Sequence, residues 1–536
     1  MHSDLQTTQI ISLLLLFSVA ALAALARKLS TPYPIVLVIG GLLLGLTPGM
    51  PKVTLNPELI FLVVLPPLLY SAAWNTAWDD FCRNIISIGF LAVGLVAFTV
   101  AGVAVAGPLL FPGFDWRLGF ALGAVVATTD SIAATSIAKR IGLPKRIVDI
   151  LEGESLVNDA TGLLALEFAT SMLVKGVTPT VASGMLRLVY LSVAGVAVGW
   201  LLGLVVEWFE HRIDDGPIEI AISILVPYSA YLSAELIHAS GVLAVVAAGM
   251  YLSRKSSLFF SPSVRIQAGA AWTALIFILN GLVFLTIGLQ LPYVLAELGG
   301  FPRYQLLLYG AAFSALLIVL RLVWTFPGAW ISWLIRARIL HHDESWPGFR
   351  PVFVVGWTGM RGVIALAAAM SLPQTLADGT PFPFRSLIVF LTFSVILVTL
   401  VLQGLTLPLL IRRLGLAGTD AVDCEEDEAR RLVVQAALEH LDQSRAGDPP
   451  SLADVYDDFV LHYQHRLTGL KCGPADPNRP DPESYSRYLD LSRELLDVER
   501  ETALRLHNQR RISDEVLRRL ERELDLSTIR LDAADS

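Results

Sequence analysis

Apolar runs of about 17 residues or more recur from near the N-terminus to about Leu410, and each is long enough to cross the roughly 30 Å hydrocarbon core of a bilayer. Lipid offers no partner to a backbone N–H or C=O. A chain of such segments is therefore confined to α-helices or a closed β-barrel. Barrel strands alternate with period two over about ten residues, whereas these runs are continuously apolar. The chain reads as an all-α, polytopic membrane protein. Its hydrophobic fraction of 54% and mean hydropathy of +0.60 fit that class, and both exceed what a soluble domain carries.

About thirteen transmembrane helices are expected, at 9–26, 34–48, 59–75, 85–111, 117–138, 146–173, 186–208, 217–237, 240–253, 267–295, 304–334, 352–371 and 385–411. The least defined boundary lies at His238-Ala239-Ser240-Gly241, where two short helices meet. Sixteen Lys and Arg fall in one set of short loops and six in the other. Positive charge favours the cytoplasmic side, which puts the N-terminus outside and the C-terminal tail in the cytoplasm. An odd number of spans gives the same result. The first apolar run lacks the basic residues of a cleaved leader before it and reads as a retained span.

Residues 1–413 form the transmembrane domain and residues 414–536 a separate material. The tail holds 16 Lys and Arg against 27 Asp and Glu, while the first 413 residues hold 24 against 21. It opens on Glu425-Glu426-Asp427-Glu428, continues in amphipathic patterns and breaks at Gly473–Pro482. It is expected to be a small helical cytosolic region, regulatory or merely solvated. Nothing in this balance suits nucleic acid. Cys82, Cys424 and Cys472 lack metal spacing and read as free thiols. The sequence shows no nucleophile–base set and no catalytic metal cluster, so neither an enzyme nor a cofactor is expected.

Against this background the acids stand out. Ala127-Thr128-Thr129-Asp130-Ser131 and Gly153-Glu154-Ser155-Leu156-Val157-Asn158-Asp159 place three carboxylates inside spans. An ionised carboxylate at membrane depth is costly unless paired or solvated, so such groups point to ions or protons. Asp159 is the foremost candidate. It lies beside Asn158 and four residues after Ser155, and positions i and i+4 share a helix face. Oxygen ligands suit a hard cation. Burial favours the protonated form of a carboxylate, so one group can hold either a proton or a sodium ion. That competition is the minimum machinery for exchange. Thr128-Thr129-Asp130-Ser131 admits two readings. Its side chains can satisfy the ends of a broken helix, or they can bond back within an intact one.

The twelfth span carries Gly356-Trp357-Thr358-Gly359-Met360-Arg361-Gly362. Three glycines around an arginine weaken a helix, and the segment is the natural counterpart of the fifth span. An offset of seven spans suggests an inverted repeat. The other reading is a glycine-lined packing face with Arg361 paired to a carboxylate. Arg321, deep in the eleventh span, needs a carboxylate, and Glu154 is the best candidate for a structural brace. Glu167, Glu235 and Asn280 are polar at depth and rank as internal hydrogen-bonding groups. His341-His342-Asp343-Glu344 reads as a solvated loop with a pH-sensing alternative. Two small-residue stripes, Gly195/Gly199/Gly203 and Gly41/Gly45, pack helices within a protomer or between two.

Taken together, Thr129-Asp130, Gly153 to Asp159 and Gly359-Met360-Arg361-Gly362 resemble the monovalent cation:proton antiporter family of bacterial sodium/proton antiporters and animal sodium/hydrogen exchangers. Leu65-Pro66-Pro67-Leu68-Leu69-Tyr70, Ser233-Ala234-Glu235-Leu236 and Leu279-Asn280-Gly281-Leu282-Val283-Phe284 resemble its bacterial branch. The likeness covers about residues 9–413.

It implies a homodimer in a bacterial inner membrane, each protomer divided into dimerisation and core subdomains, with two broken helices crossing in a mobile core. It implies that Asp159 binds proton and cation, with Ser155, Asp130 and Thr129 around the ion. Asn158 would hold geometry, Asp130 and Arg361 would offset half-helix charges, and Glu154 and Arg321 would form the brace. Asn158-Asp159 in place of two aspartates resembles the electroneutral branch. Some relatives carry a glutamate where Ser71 stands here. The expected activity is sodium/proton antiport supporting pH and sodium homeostasis, with potassium or lithium as alternative cargo. A cation channel or ion-sensing receptor is the rival class.

Overall fold

The computed structural model describes residues 2–29, 31–47, 57–174, 176, 180–213, 215–298, 300–341, 346–376, 379–417, 421–447, 449–468 and 482–535. Cys472, residues 473–481 of the expected tail break, and His342-Asp343-Glu344 lie outside these residues, as do the side chains of Ser131, Cys424, Glu425 and Glu426. The regular secondary structure among the described residues is helical, apart from one isolated bridge between Thr375 and Pro381.

Helix α1 spans His2–Lys28, α2 spans Tyr33–Gly45, and α3 (Pro57–Leu59) runs through a π-turn into α4 (Leu65–Asn75). Helices α5 (Trp78–Gly89) and α6 (Val96–Leu110) form one rod joined by a second π-turn. Then come α7 (Trp116–Ala127), α8 (Ser131–Ile141), α9 (Lys145–Val174), α10 (Val181–Glu210), α11 (Gly216–Leu236), α12 (Gly241–Phe259), α13 (Pro262–Glu297) and α14 (Arg303–Arg338). The last group is α15 (Phe349–Trp357), α16 (Val363–Ser371), α17 (Arg385–Val398) and α18 (Gly404–Arg413). Eight of the described helical stretches are long and apolar enough to cross a membrane, and α2 and α7 are shorter apolar helices. The junction near His238 resolves into two helices. Leu236 ends α11, and Ser240 caps α12 by accepting the Leu243 N–H at 3.2 Å.

Small residues set how closely these helices approach. A Cβ on Gly199 would fall 2.1 Å from the Ala244 carbonyl oxygen, and one on Gly41 would fall 2.1 Å from that of Leu285. Both stripes therefore pack inside the protomer, α10 on α12 and α2 on α13. Helix α7 lies against α6 and α9, which holds its C-terminal end beside the acidic stretch of α9.

Contacts divide the chain into Met1–Gly418 and Thr419–Ser536. In the second unit α19 (Ala421–Gly447) packs on α20 (Ala453–Thr468), and α21 (Pro482–Asn508) packs on α22 (Asp514–Asp535).

Candidate functional site

The fifth span is interrupted. Helix α7 stops at Ala127, Thr128 is extended with φ −66° and ψ 138°, and α8 begins at Ser131. The twelfth span is interrupted too, between Trp357 of α15 and Val363 of α16. The two breaks meet, since the Asp130 N–H donates to the Met360 carbonyl at 2.9 Å. Breaking a helix in lipid strands backbone groups, and the polar residues that the sequence supplies at these points take them up. Ser155 Oγ donates to the Thr129 carbonyl at 3.0 Å, the Arg361 N–H donates to Thr399 Oγ1 at 3.1 Å, and Arg361 Nη1 donates to the Gly359 carbonyl at 3.1 Å.

Asp130 directly precedes α8, and its carboxylate abuts Gly362, which directly precedes α16. A Cβ on Gly362 would fall 2.2 Å from Asp130 Oδ2. One carboxylate thus lies just before two half-helix N-termini, where a negative charge is favoured. Arg361 sits on the carbonyl just past the C-terminal end of α15, where a cation is favoured. The alternative of Arg361 paired to a carboxylate is not what the geometry shows, because its guanidinium bond goes to backbone.

Glu154 and Arg321 form the brace. Arg321 Nη1 and Nη2 donate to Glu154 Oε1 and Oε2 at 2.6 and 2.8 Å, and Nη2 also reaches the Val355 carbonyl at 3.2 Å. The residues are 2% and 1% exposed. Thr129 Oγ1 donates to Glu154 Oε1 at 3.1 Å and accepts from Asn158 Nδ2. Asn158 therefore faces the broken helix and fixes Thr129. Gly359 is where Arg321 crosses the second break, and a Cβ there would fall 2.2 Å from Arg321 Cδ. The ion pair consequently ties α9, α14 and both breaks into one body.

Asp159 is treated differently. It is 2% exposed, and its Oδ1 has no hydrogen-bond partner among the described residues. It lines a small cavity of about 50 Å³ with Ser155, Thr129, Asp130 and Asn280, room for a few water-sized guests. Two larger cavities are lined by neighbours of its own lining residues on α4 and α9. One, of about 510 Å³, is lined by Tyr33, Tyr70, Ser71, Trp272 and Arg265. The other, of about 270 Å³, begins at Ala160 and Leu163, within a turn of Asp159 on α9, and holds Glu167, Arg187, Glu235 and His238.

The three residues expected to be internal hydrogen-bonding groups, Glu167, Glu235 and Asn280, separate. Glu167 and Glu235 are exposed rather than internal, with Glu167 paired to Arg187 at 3.4 Å. Ser71 lines the larger cavity and not the small one. Asn280 and Glu152 line the small cavity, and Thr399 anchors the second break. Lone polar residues inside spans were the signal for Asn280 and Thr399. Which wall they face is not written in a sequence.

A family model described as the transmembrane sodium/hydrogen exchanger matches residues 13–413. An uncharacterized Na(+)/H(+) exchanger of Mycobacterium tuberculosis is 33% identical over 521 residues, 94% of this chain and 92% of that one. A sodium, potassium, lithium and rubidium/H(+) antiporter of Bacillus pumilus is 32% identical over 454 residues, 83% of this chain and 66% of that one. Among solved structures, the sodium proton antiporter MjNhaP1 of Methanocaldococcus jannaschii at pH 8 is similar in fold. Its TM-score is 0.56 at 17% identity, over 77% of this chain and 99% of that one.

Proposed function

The chain belongs to the sodium/hydrogen exchanger family, and from that premise we propose a mechanism in which Asp159 trades a proton for a sodium ion by alternating access. Membership makes the protein an integral membrane transporter, not an enzyme, that exchanges a monovalent cation for protons. The observation that carries the mechanism is a buried carboxylate at the meeting of two interrupted helices, its Oδ1 without a partner among the described residues, with larger cavities lined by neighbouring residues of α4 and α9. A proton on Asp159 and a cation among Asp159, Asp130, Ser155 and Thr129 compete for the same oxygens. Release of one permits binding of the other.

Glu154, Arg321, Asn158 and Arg361 support this site without holding cargo. A continuous conducting pore would suit a channel. Here the small cavity at Asp159 shares no lining residue with either larger cavity, which favours an exchanger. With Asn158 beside it, Asp159 is the single carboxylate of its pair, and one proton for one cation moves no net charge.

On the reading that each interrupted pair makes one span and that α1, α2 and α9 cross as well as the eight long apolar helices, the span count is thirteen. The charge bias puts the N-terminus outside and residues 414–536, a helical tail, in the cytoplasm. The 510 Å³ cavity, with Arg265 at its edge, then faces the cytoplasm. The family's homodimer of dimerisation and core subdomains in a bacterial plasma membrane, its inverted repeat and its role in pH and sodium homeostasis complete the reading. Selectivity among sodium, potassium and lithium is decided by exchange in proteoliposomes under imposed pH gradients. Wild type exchanges the preferred cation, and Asp159→Asn is expected to exchange none. Normal exchange by that variant overturns the assignment.

A further inference from the structure

We infer that Asn280 is a further cation ligand, supplied by α13 at the point where the ion passes between the 510 Å³ cavity and the Asp159 pocket. The inference rests on the antiport reading above. Asn280 lines the pocket with Asp159 and Asp130. It is 1% exposed, its amide N–H group faces the Tyr33 hydroxyl, and its Oδ1 has no hydrogen-bond partner among the described residues. A stranded acceptor at membrane depth is expensive, and such a group calls for an explanation. A guest that comes and goes supplies one.

Position supplies the rest. Helix α13 lines both cavities. Phe277, one turn before Asn280, lines the larger one and packs its ring 6.0 Å from that of Tyr33, which lines it too. Asn280 is the next residue on that side and belongs to the small pocket. A cation entering from the larger cavity therefore sheds water at Asn280 before it reaches the carboxylates. An amide oxygen suits a hard cation and is neutral. It raises affinity and discriminates between ion sizes without changing how many protons a cation displaces. The amide nitrogen is at the same time a donor for a carboxylate that has lost its proton.

The test uses the full chain in everted and right-side-out membrane vesicles, with a pH-sensitive dye reporting proton movement on addition of sodium, potassium or lithium. Asn280→Ala is expected to raise the sodium KM by about tenfold at the cytoplasmic face, far more than at the outer face and far more than it changes the maximal rate, and to alter the ranking of the three cations. Asn280→Thr, which keeps one oxygen, should fall between. It carries the comparison if the alanine variant does not reach the membrane. An equal rise at both faces assigns Asn280 to the fold or to the shared site and overturns the inference. An unchanged KM leaves the amide to an ordered water and overturns it too. Asp159→Asn in the same vesicles separates the two levels. Exchange by that variant removes the antiport reading, whereas wild-type kinetics in Asn280→Ala remove only the ligand.

Discussion

Two carboxylates on α9, Glu154 and Asp159, differ in what reaches them. Glu154 receives a bidentate guanidinium and a hydroxyl, and Asp159 Oδ1 receives nothing among the described residues. Removing one partner of a buried pair strands the other and costs about 3–5 kcal/mol, whereas replacing both with apolar residues is often neutral. Glu154→Gln is accordingly expected to lower the thermal midpoint of the detergent-purified protein sharply. Glu154→Leu combined with Arg321→Leu should be more stable than either single change. A double variant less stable than both singles would show that the pair does more than brace. Asp159→Asn should leave the midpoint at or above that of wild type while abolishing exchange, because no native bond to its Oδ1 is lost. Gly362→Ala tests the contact with Asp130. The added methyl must displace a carboxylate 2.2 Å away, so exchange should fall at least tenfold in a protein that still folds.

Among elements, the interrupted helices explain why the site is where it is. Sequence left the fifth span open between a broken and an intact helix, because Thr and Ser serve either. The break became visible only with the second break against it, where the Asp130 N–H finds the Met360 carbonyl and Ser155 and Thr399 take the other stranded groups. The glycine stripes were equally ambiguous. A row of small residues says that something comes close, not what. Gly199 is occupied by the α12 backbone, which backbone rigidity makes hard to displace. Gly199→Leu should therefore separate α10 from α12 and lower the thermal midpoint within the protomer. A variant of unchanged stability that only dissociates an oligomer would contradict this packing.

For the whole molecule, α10 shows how the surface is used. The span Ala182–Glu210 has 17% of its apolar stretch buried, and Leu186, Val193 and Leu201 point outward. Lipid or a second copy must cover them. The homodimer reading expects light scattering in mild detergent to give a protein mass of twice 58.3 kDa, and a single 58.3 kDa species would refute it. The sequence by itself determined that the chain is helical and spans a membrane, that its acidic tail differs from the rest, and which residues were too polar for their depth. Those are local facts, set by the length of apolar runs and by the cost of charge in lipid. It also allowed Glu154 to be matched with Arg321, since a buried cation needs a buried anion.

Only the tertiary structure decided which carboxylate was left unpartnered, which breaks face one another, and that Asn280 shares the pocket while Glu167 and Glu235 do not. Those outcomes depend on contacts between segments far apart in the chain. A residue's polarity is fixed by its own chemistry, but whether that polarity is satisfied depends on what packs against it.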